Sequence, residues 1–99
     1  MIYEIAHLRI QPDTNAAFEA AVAQAIPLFQ RSKGCLSMRL EQCIERADGY
    51  RLVVGWETLE DHTVHFRGSE EFQAWRGLVG GFFSAPPDVE HMTTVLTGF

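Results

Sequence analysis

The spacing of apolar residues along the chain alternates between every second position and every third or fourth, which predicts a mixture of strands and helices. Residues 2–10 are rich in β-branched and aliphatic side chains and end at the turn signal Pro12-Asp13, so they predict a strand. Its two faces are Tyr3, Ile5, His7, Arg9 and Ile2, Glu4, Ala6, Leu8, Ile10. Neither face is purely polar, so the pattern leaves open which face is buried.

Helical spacing follows this strand. From Asp13 onward, apolar residues recur three or four positions apart behind capping candidates, at Phe18, Ala21, Val22, Ala25, Leu28 and Phe29. Pro27 lies inside the pattern, and because proline has no amide hydrogen it should bend or shorten the last turn. Gly34 is expected to close the helix.

The middle of the chain predicts a β-hairpin. Residues 36–45 alternate, with Leu36, Met38, Leu40 and Ile44 on one side, which is typical of a half-buried strand. Ala47-Asp48-Gly49 is a hairpin signal because Asp-Gly readily supplies positive φ. Residues 50–57 then form the antiparallel neighbour.

Two short helices in tandem are predicted next. Thr58-Leu59-Glu60-Asp61 fits a capping box and starts the first of them. Gly68-Ser69 interrupts the pattern, and apolar residues then recur at helical spacing at Phe72, Trp75, Val79 and Phe82 or Phe83. Val89 to Thr97 is rich in threonine and valine and predicts a last strand.

This order predicts an α+β fold of ferredoxin-like βαββαβ type, one domain over residues 1–99, with a four-stranded antiparallel sheet and both helices on one face. Whichever way the strands are turned, Leu8 or Ile5 and Val53 or Val54 remain on the uncovered face. Because exposed apolar patches usually mark interfaces, we expect a homodimer formed through the open sheet face.

The charge and cysteine content of the chain limit its expected binding partners and its expected cellular location. Thirteen acidic and eight basic residues give a net charge of −5 without a basic cluster, so neither nucleic acid nor an anionic membrane is expected as a partner. No apolar run approaches the roughly 18 residues that span a bilayer, and the start lacks the basic region of a signal peptide. Cys35 and Cys43 would lie far apart on one strand, so no intrachain disulfide is expected and the predicted location is cytoplasmic.

One stretch carries a family resemblance. Residues 54–62 read Val-Gly-Trp-Glu-Thr-Leu-Glu-Asp-His and are followed by Val64-His65-Phe66, Ser69, Phe72 and Trp75. This pattern resembles the antibiotic biosynthesis monooxygenase family, in which a tryptophan ends the third strand and a capped acidic helix then carries a histidine ahead of a serine and a phenylalanine. The likeness extends over essentially the whole chain, including Gly34-Cys35 and Pro86-Pro87-Asp88-Val89.

The resemblance implies a dimeric α+β barrel of two facing sheets, with a pocket between sheet and helices in each subunit. It also implies oxidation of a small phenolic or quinol-like, polyketide-type aromatic by O2 without metal, flavin or haem. Haem-degrading relatives place an asparagine, a tryptophan and a histidine where this chain has His7, His65 and Trp75. Haem breakdown is therefore not expected. The alternative function is a non-catalytic dimeric domain that binds a small molecule.

Oxygenation without a cofactor needs a base and a dry pocket, because the substrate must first become an electron-rich anion. His65, on the helix expected to roof the pocket, is the first choice for that base, although an exposed histidine without a catalytic contact is the alternative. Trp56 is expected to form a pocket wall or to bind a substrate oxygen, unless it is plain core.

The remaining candidate pocket residues are His7, His62, Phe66, Phe72, Trp75, Phe83 and His91. The aromatic stripe on the second helical region is compatible with core packing as well as with a substrate cavity. His62 and His65 are three residues apart and could bind a metal ion only with His7 or His91 as a third ligand. A metal-dependent activity is therefore a minor alternative, and no metal site is predicted.

Overall fold

The computed structural model describes residues 1–99 as four strands and two α-helices joined by shorter helical turns. The elements are β1 (Ile2–Arg9), α1 (Asn15–Gln30), β2 (Cys35–Gln42), β3 (Gly49–Trp56), a π-helical turn (Asp61–Phe66), α2 (Glu70–Val79), a 3-10 turn (Gly80–Phe82) and β4 (Asp88–Met92). The ferredoxin-like βαββαβ order is thus confirmed, as is the prediction of two helical segments in tandem.

The strands form one antiparallel sheet in the order β2-β3-β1-β4. In β1, Ile5 lies opposite Val53 of β3 on one side and Glu90 of β4 on the other. No helix of this fold is long and apolar enough to cross a membrane.

The register decides the question that the alternation of β1 left open. The face of β1 with Glu4, Ala6 and Leu8 is buried, and it meets the buried side chains of β3, α1 and α2. The core comprises Ala6, Leu8, Ile10, Phe18, Ala21, Val22, Ala25, Leu28, Phe29, Tyr50, Leu52, Val54, Trp56, Phe66, Trp75 and Val79. All six residues predicted for the buried side of α1 are in this core, which confirms that helical stripe.

The open face of the sheet is only partly apolar. Tyr3, Ile5, Val53 and Met92 lie toward one end of it, where the charged residues Arg39 and Glu90 flank Val53 and Ile5 on the neighbouring strands. The other end carries the charged side chains of Arg9, Glu41, Arg51 and Asp88. The residues that remain on this face are therefore Ile5 and Val53, since Leu8 and Val54 are in the core.

The predicted phase of β2 was wrong at both ends. An irregularity between Cys35 and Ser37 shifts the register, so Leu36 is about half exposed and Cys35 packs on the core in its place. Strand pairing stops at Gln42, which leaves Ile44 in the loop and fully solvent-exposed. A bulge and an early strand end change which residues share a face. Neither can be predicted from the alternation of apolar and polar residues alone.

Three further expectations need correction. The Asp48-Gly49 turn uses no positive φ, since only Asp13 and Gly34 have one. Strand β4 ends at Met92 instead of continuing to Thr97, and residues 93–99 have no regular structure. Gly34 does not close α1, because the helix ends at Gln30, with Pro27 beginning its last turn and Arg31 as the C-cap residue.

Side-chain caps start the two later helical segments where the sequence placed them. The hydroxyl of Thr58 accepts a hydrogen bond from the Asp61 amide at 3.1 Å, and the hydroxyl of Ser69 accepts one from the Phe72 amide at 3.2 Å. Each cap satisfies an amide that has no partner within its helix. The predicted capping function of Thr58 is thereby confirmed.

Gly34 has a structural role in the connection between α1 and β2. Its φ is +75°, and a β-carbon added here would lie 2.0 Å from Oδ2 of Asp61. Its carbonyl also accepts a hydrogen bond from the Glu57 amide at 2.8 Å. The absence of a side chain at Gly34 therefore lets the start of the π-helical turn lie directly against the connection between α1 and β2.

We predict that Gly34→Ala destabilises the protein by about 2–3 kcal/mol, because alanine combines an unfavourable positive φ with a clash against Asp61. Gly77→Ala is the matched control, since nothing lies within 4 Å of a β-carbon added at this helical position. That change should stabilise α2 by about 1 kcal/mol. Urea unfolding of both variants measures the difference, and equal effects would contradict the assigned role of Gly34.

Candidate functional site

A cavity of about 640 Å³ lies between the helix-covered face of the sheet and α2. Ala6, Leu8 and Leu52 form its floor, and Phe72, Trp75 and Val79 of α2 form one wall. The opposite rim is built from residues 83–87 and Val89. This size suits a ligand of two or three fused rings, and most of the lining is hydrophobic or aromatic, as is usual for small-molecule sites.

A carboxyl group opens onto this apolar space. Glu4 lines the cavity from the middle of β1, although only 5% of its surface is exposed. Its Oε1 accepts a hydrogen bond from the Trp56 indole at 3.1 Å and lies 3.3 Å from Nε2 of His62. Oε2 has no protein partner and is not sealed off, so it is free to contact a ligand.

Burial sets the protonation of this pair. It raises the pKa of Glu4 from 4.5 to about 7, against the opposing effects of the Trp56 hydrogen bond and the positive charge of Arg67. It also lowers the pKa of His62 from 6.5 to about 4, and the charges of Arg67 and His91 lower it further. At neutral pH the imidazole of His62 is therefore neutral where it approaches Oε1 of Glu4 at 3.3 Å, and Glu4 is close to half ionised.

The π-helical turn places His62 in the site. The Arg67 amide donates to the His62 carbonyl at 3.1 Å, five residues back, and this wider turn directs Asp61, His62 and Phe66 inward. The imidazole of His62 stacks on the Trp56 indole, with ring centres 5.5 Å apart and an interplanar angle of 19°. Such π-helical turns are often found at functional sites.

A second histidine continues the polar chain outward. Nδ1 of His62 lies 2.7 Å from Nε2 of His91 on β4, which is only partly buried. Glu4, His62 and His91 thus form a continuous path of polar contacts from the cavity toward the surface of the molecule, and the His62–His91 link is a hydrogen bond.

Five of the residues predicted for the pocket line the cavity, namely His62, Phe66, Phe72, Trp75 and Phe83. Trp56 and His91 lie just behind this lining, in contact with Glu4 or His62. Trp56 is completely buried, so it orients the carboxyl group and does not form a wall.

The structure corrects the placement of two predicted residues. His65 is exposed on the outer side of the π-helical turn and does not line the cavity that it was expected to roof. His7 lies on the open face of the sheet, where its Nε2 is 3.3 Å from Glu90. The register of β1 sends even-numbered residues to the cavity, so an odd-numbered histidine cannot reach it.

Metal ligation by the histidines receives no geometric support. His62 and His65 point to opposite sides of their turn, although they are three residues apart. No three side chains among the histidines, cysteines and acids come together in a way that could hold a metal ion.

Sequence reasoning missed Glu4, Arg67 and Arg76, which all line the cavity. A signal for Glu4 was available: it is the one charged residue on an otherwise apolar face of β1. A lone acid of this kind is seldom buried without a specific partner. Nothing in the local pattern separated the two arginines from ordinary surface residues.

We predict that Glu4→Gln changes how stability depends on pH. The native pKa of Glu4 is raised, so burial of the carboxyl group stabilises fully below about pH 4.5, and this contribution is lost as the pH rises through about 7. Glutamine cannot ionise. The free energy of unfolding of the wild type should therefore fall relative to that of the variant between about pH 5 and pH 8, by up to about 3 kcal/mol.

Urea unfolding at both pH values measures this difference, with the exposed Glu57→Gln as the control for loss of one charge. His62 has the opposite dependence, because its lowered pKa stabilises above about 6.5 and this contribution is lost as the pH falls through about 4. His62 is present in both proteins, so its effect largely cancels. An unchanged difference at the two pH values would contradict the raised pKa of Glu4.

Known proteins share this architecture over nearly the full length. A crystal structure of a candidate antibiotic biosynthesis monooxygenase from Bordetella bronchiseptica is 52% identical and superposes with a TM-score of 0.94, covering 96% of this chain and 97% of that one. A protein of the same description from Caulobacter crescentus is 22% identical with a TM-score of 0.82, over 96% and 90% of the two chains. The second likeness concerns the fold alone.

The sequence comparisons agree with the structural ones. The uncharacterized protein YczJ of Bacillus subtilis (strain 168) is 43% identical over 95 residues, which cover 96% of this chain and all of that protein. The family model described as antibiotic biosynthesis monooxygenase matches residues 1–78, which include β1, the π-helical turn and most of α2. The chain therefore belongs to the antibiotic biosynthesis monooxygenase family.

Proposed function

We propose that this protein is a cofactor-independent monooxygenase that oxidises a small phenolic or quinol-like aromatic with O2. The observation that carries the proposal is Glu4, a buried carboxyl group whose pKa is raised to about 7 and which opens onto an apolar cavity. A base with a pKa near the working pH is the group that this chemistry needs. Membership of the family supports the same reaction class.

The first step is proton removal. Ionised Glu4 takes a proton through Oε2 from an acidic C–H or O–H of the substrate, and the substrate becomes an electron-rich carbanion or phenolate. The Trp56 N–H and the His62 imidazole hold Oε1, so the carboxylate is oriented before the substrate arrives. The base is thus Glu4, in place of the exposed His65.

The substrate anion itself supplies the electrons for oxygen reduction. One electron passes to O2, and the resulting radical pair combines to form a C–O bond and a peroxide. Protonated Glu4 returns its proton to the distal oxygen, and loss of water leaves a carbonyl group. For a substrate of the anthrone type, one methylene group and one molecule of O2 give one carbonyl group and one molecule of water, with no external reductant.

The Glu4–His62–His91 path provides proton exchange with solvent. Neutral His62 can accept a proton at one ring nitrogen and release one at the other, and its Nδ1 is 2.7 Å from His91. Between turnovers Glu4 can therefore exchange its proton with solvent through this path without bulk water entering the apolar part of the cavity. Exclusion of water protects the substrate anion from simple reprotonation.

The aromatic side chains in the cavity wall suit a planar substrate. Phe72, Trp75 and Phe83 line the cavity, and Phe72 packs edge-on against Phe66, with ring centres 5.5 Å apart. Flat rings can stack against such side chains, and this interaction places their reacting carbon near Glu4.

Oxygen consumption by the purified, metal-free protein tests the reaction. With anthrone and substituted hydroquinones we expect turnover in the wild type and a loss of at least about 100-fold in kcat for Glu4→Gln, the usual contribution of a general base. His65→Ala is the control and should keep full activity, since this residue lies outside the cavity. The rate should rise with pH through about 7 as Glu4 ionises.

Two results would contradict the assignment. Full activity of Glu4→Gln would remove this residue from the mechanism, and loss of activity in His65→Ala would return the base to that histidine. If the protein binds the same aromatics under anaerobic conditions but forms no product when oxygen is added, it is instead a non-catalytic binding domain.

We further propose that two copies pair through the open sheet face. Tyr3 and Ile5 are partly exposed there and Met92 beside them is about half exposed, whereas Val53 is already buried at 3% exposure. Beyond β4, residues 93–99 hold three almost fully exposed apolar side chains, Val95, Leu96 and Phe99. Apolar groups in such number are seldom left in water, so a second copy is the partner that would cover them.

Sedimentation tests the pairing. We expect the wild type to sediment as a dimer at about 10 µM, a concentration at which interfaces of standard size are occupied, and Ile5→Asp to shift toward the monomer, because a buried carboxylate opposes association. Ile26→Asp, on an exposed position of α1, is the matched control and should stay dimeric. A monomeric wild type at this concentration would contradict the proposal.

A further inference from the structure

We propose that the substrate carries a permanently ionised acid group, such as a carboxylate, in addition to its phenol or quinol, and that Arg67 and Arg76 bind this group. Both arginines line the cavity, next to an interior that is otherwise apolar apart from Glu4 and His62. The inference rests on the proposed function, because it takes the cavity as the place where the substrate binds.

Neither arginine has an acidic partner within the chain. The contacts within 4 Å between basic nitrogen and acidic oxygen atoms join Arg31 to Glu71, Arg39 to Glu41, His7 to Glu90 and the neutral His62 to Glu4. The chain has thirteen acids for only eight basic residues, so a surface acid would be the ordinary partner. Arg9, Lys33, Arg46 and Arg51 also lack an acidic partner, so what distinguishes Arg67 and Arg76 is that both line this one apolar cavity, where a ligand's anionic group can reach them.

Arg67 is held close to the reacting groups. It follows the π-helical turn directly, and its amide donates to the His62 carbonyl at 3.1 Å. Its positive charge acts on Glu4, His62 and His91 alike. An anion bound by Arg67 would therefore lie in the same cavity as the carboxyl group of Glu4.

Arg76 is supported by an aromatic ring and not by an acid. Its guanidinium carbon lies 5.8 Å from the centre of the Phe72 ring, which is itself part of the cavity wall. This contact orients the flat guanidinium group while its N–H edges remain free. Guanidinium groups bind carboxylates through two parallel hydrogen bonds, which suits an edge left open in this way.

The arrangement divides the site into two parts. The aromatic and aliphatic interior takes the flat ring system, with Glu4 facing its acidic proton, and the two arginines at the rim take the negative end. A neutral phenol would use only the first part. The specificity for an aromatic acid would then come from Arg67 and Arg76.

Binding of two matched ligands under anaerobic conditions tests this inference. The probes are 1,4-dihydroxy-2-naphthoate and its methyl ester, which share the hydroquinone rings and differ in one charge. Calorimetric titration gives the Kd of each for the wild type, Arg67→Gln, Arg76→Gln and the control Arg31→Gln. Arg31 pairs with Glu71 outside the cavity, so its removal changes the net charge equally but not the site.

We expect the wild type to bind the acid about 10- to 100-fold more tightly than the ester, the range for one or two charge-assisted hydrogen bonds. Arg67→Gln and Arg76→Gln should each remove most of this preference, while their affinity for the ester stays the same. The unchanged ester affinity shows that each variant keeps its fold. Arg31→Gln should behave as the wild type.

Equal affinity of the wild type for acid and ester would overturn the inference, as would equal weakening of both ligands in the arginine variants. These outcomes are separate from those for oxygenation, because no oxygen is present. A charge preference without later oxygen consumption would contradict the proposed function alone, and turnover of the ester as fast as the acid would contradict the inference alone.

Discussion

The hydrogen bond from the Trp56 indole to the buried carboxyl group of Glu4 is the interaction on which the rest of the site depends. Glu4 stands in an apolar strand face where an isolated carboxylate would be costly. The indole and the neutral His62 make burial tolerable without ionising the group fully. The same apolar residues form the cavity floor, so the packing that stabilises the fold also raises the pKa of Glu4.

Positioning of His62 depends on local backbone geometry as much as on packing. Gly34, at positive φ, leaves room for Asp61 at the beginning of the π-helical turn, and the wider turn then directs His62 onto Trp56. A regular helix in this segment would rotate its side chains differently around the axis. A glycine in the connection between α1 and β2 therefore contributes to the arrangement of a site that it does not touch.

Most of the fold could be predicted from the periodicity of apolar residues and from local sequence signals. The helical spacing in α1, the aromatic and valine-rich composition of β3 and the caps at Thr58 and Ser69 each depend on neighbours in sequence, so they could be predicted. The site could be predicted only in part. The aromatic wall follows from helical spacing, but the Trp56–Glu4 contact joins residues 52 positions apart, and the exposed side of His65 depends on a π-helical turn that spacing does not reveal.

Glu4 can act as the base at neutral pH only if its pKa is close to 7, and this pKa can be measured directly. Carbon-13 NMR of protein labelled at the glutamate side-chain carboxyl groups, with Glu4→Gln used to assign the resonance, follows this group through a pH titration. The account predicts a midpoint near 7, well above the usual value of 4.5. A midpoint at or below 4.5 would show that Glu4 is an ordinary, fully ionised carboxylate and would contradict the account.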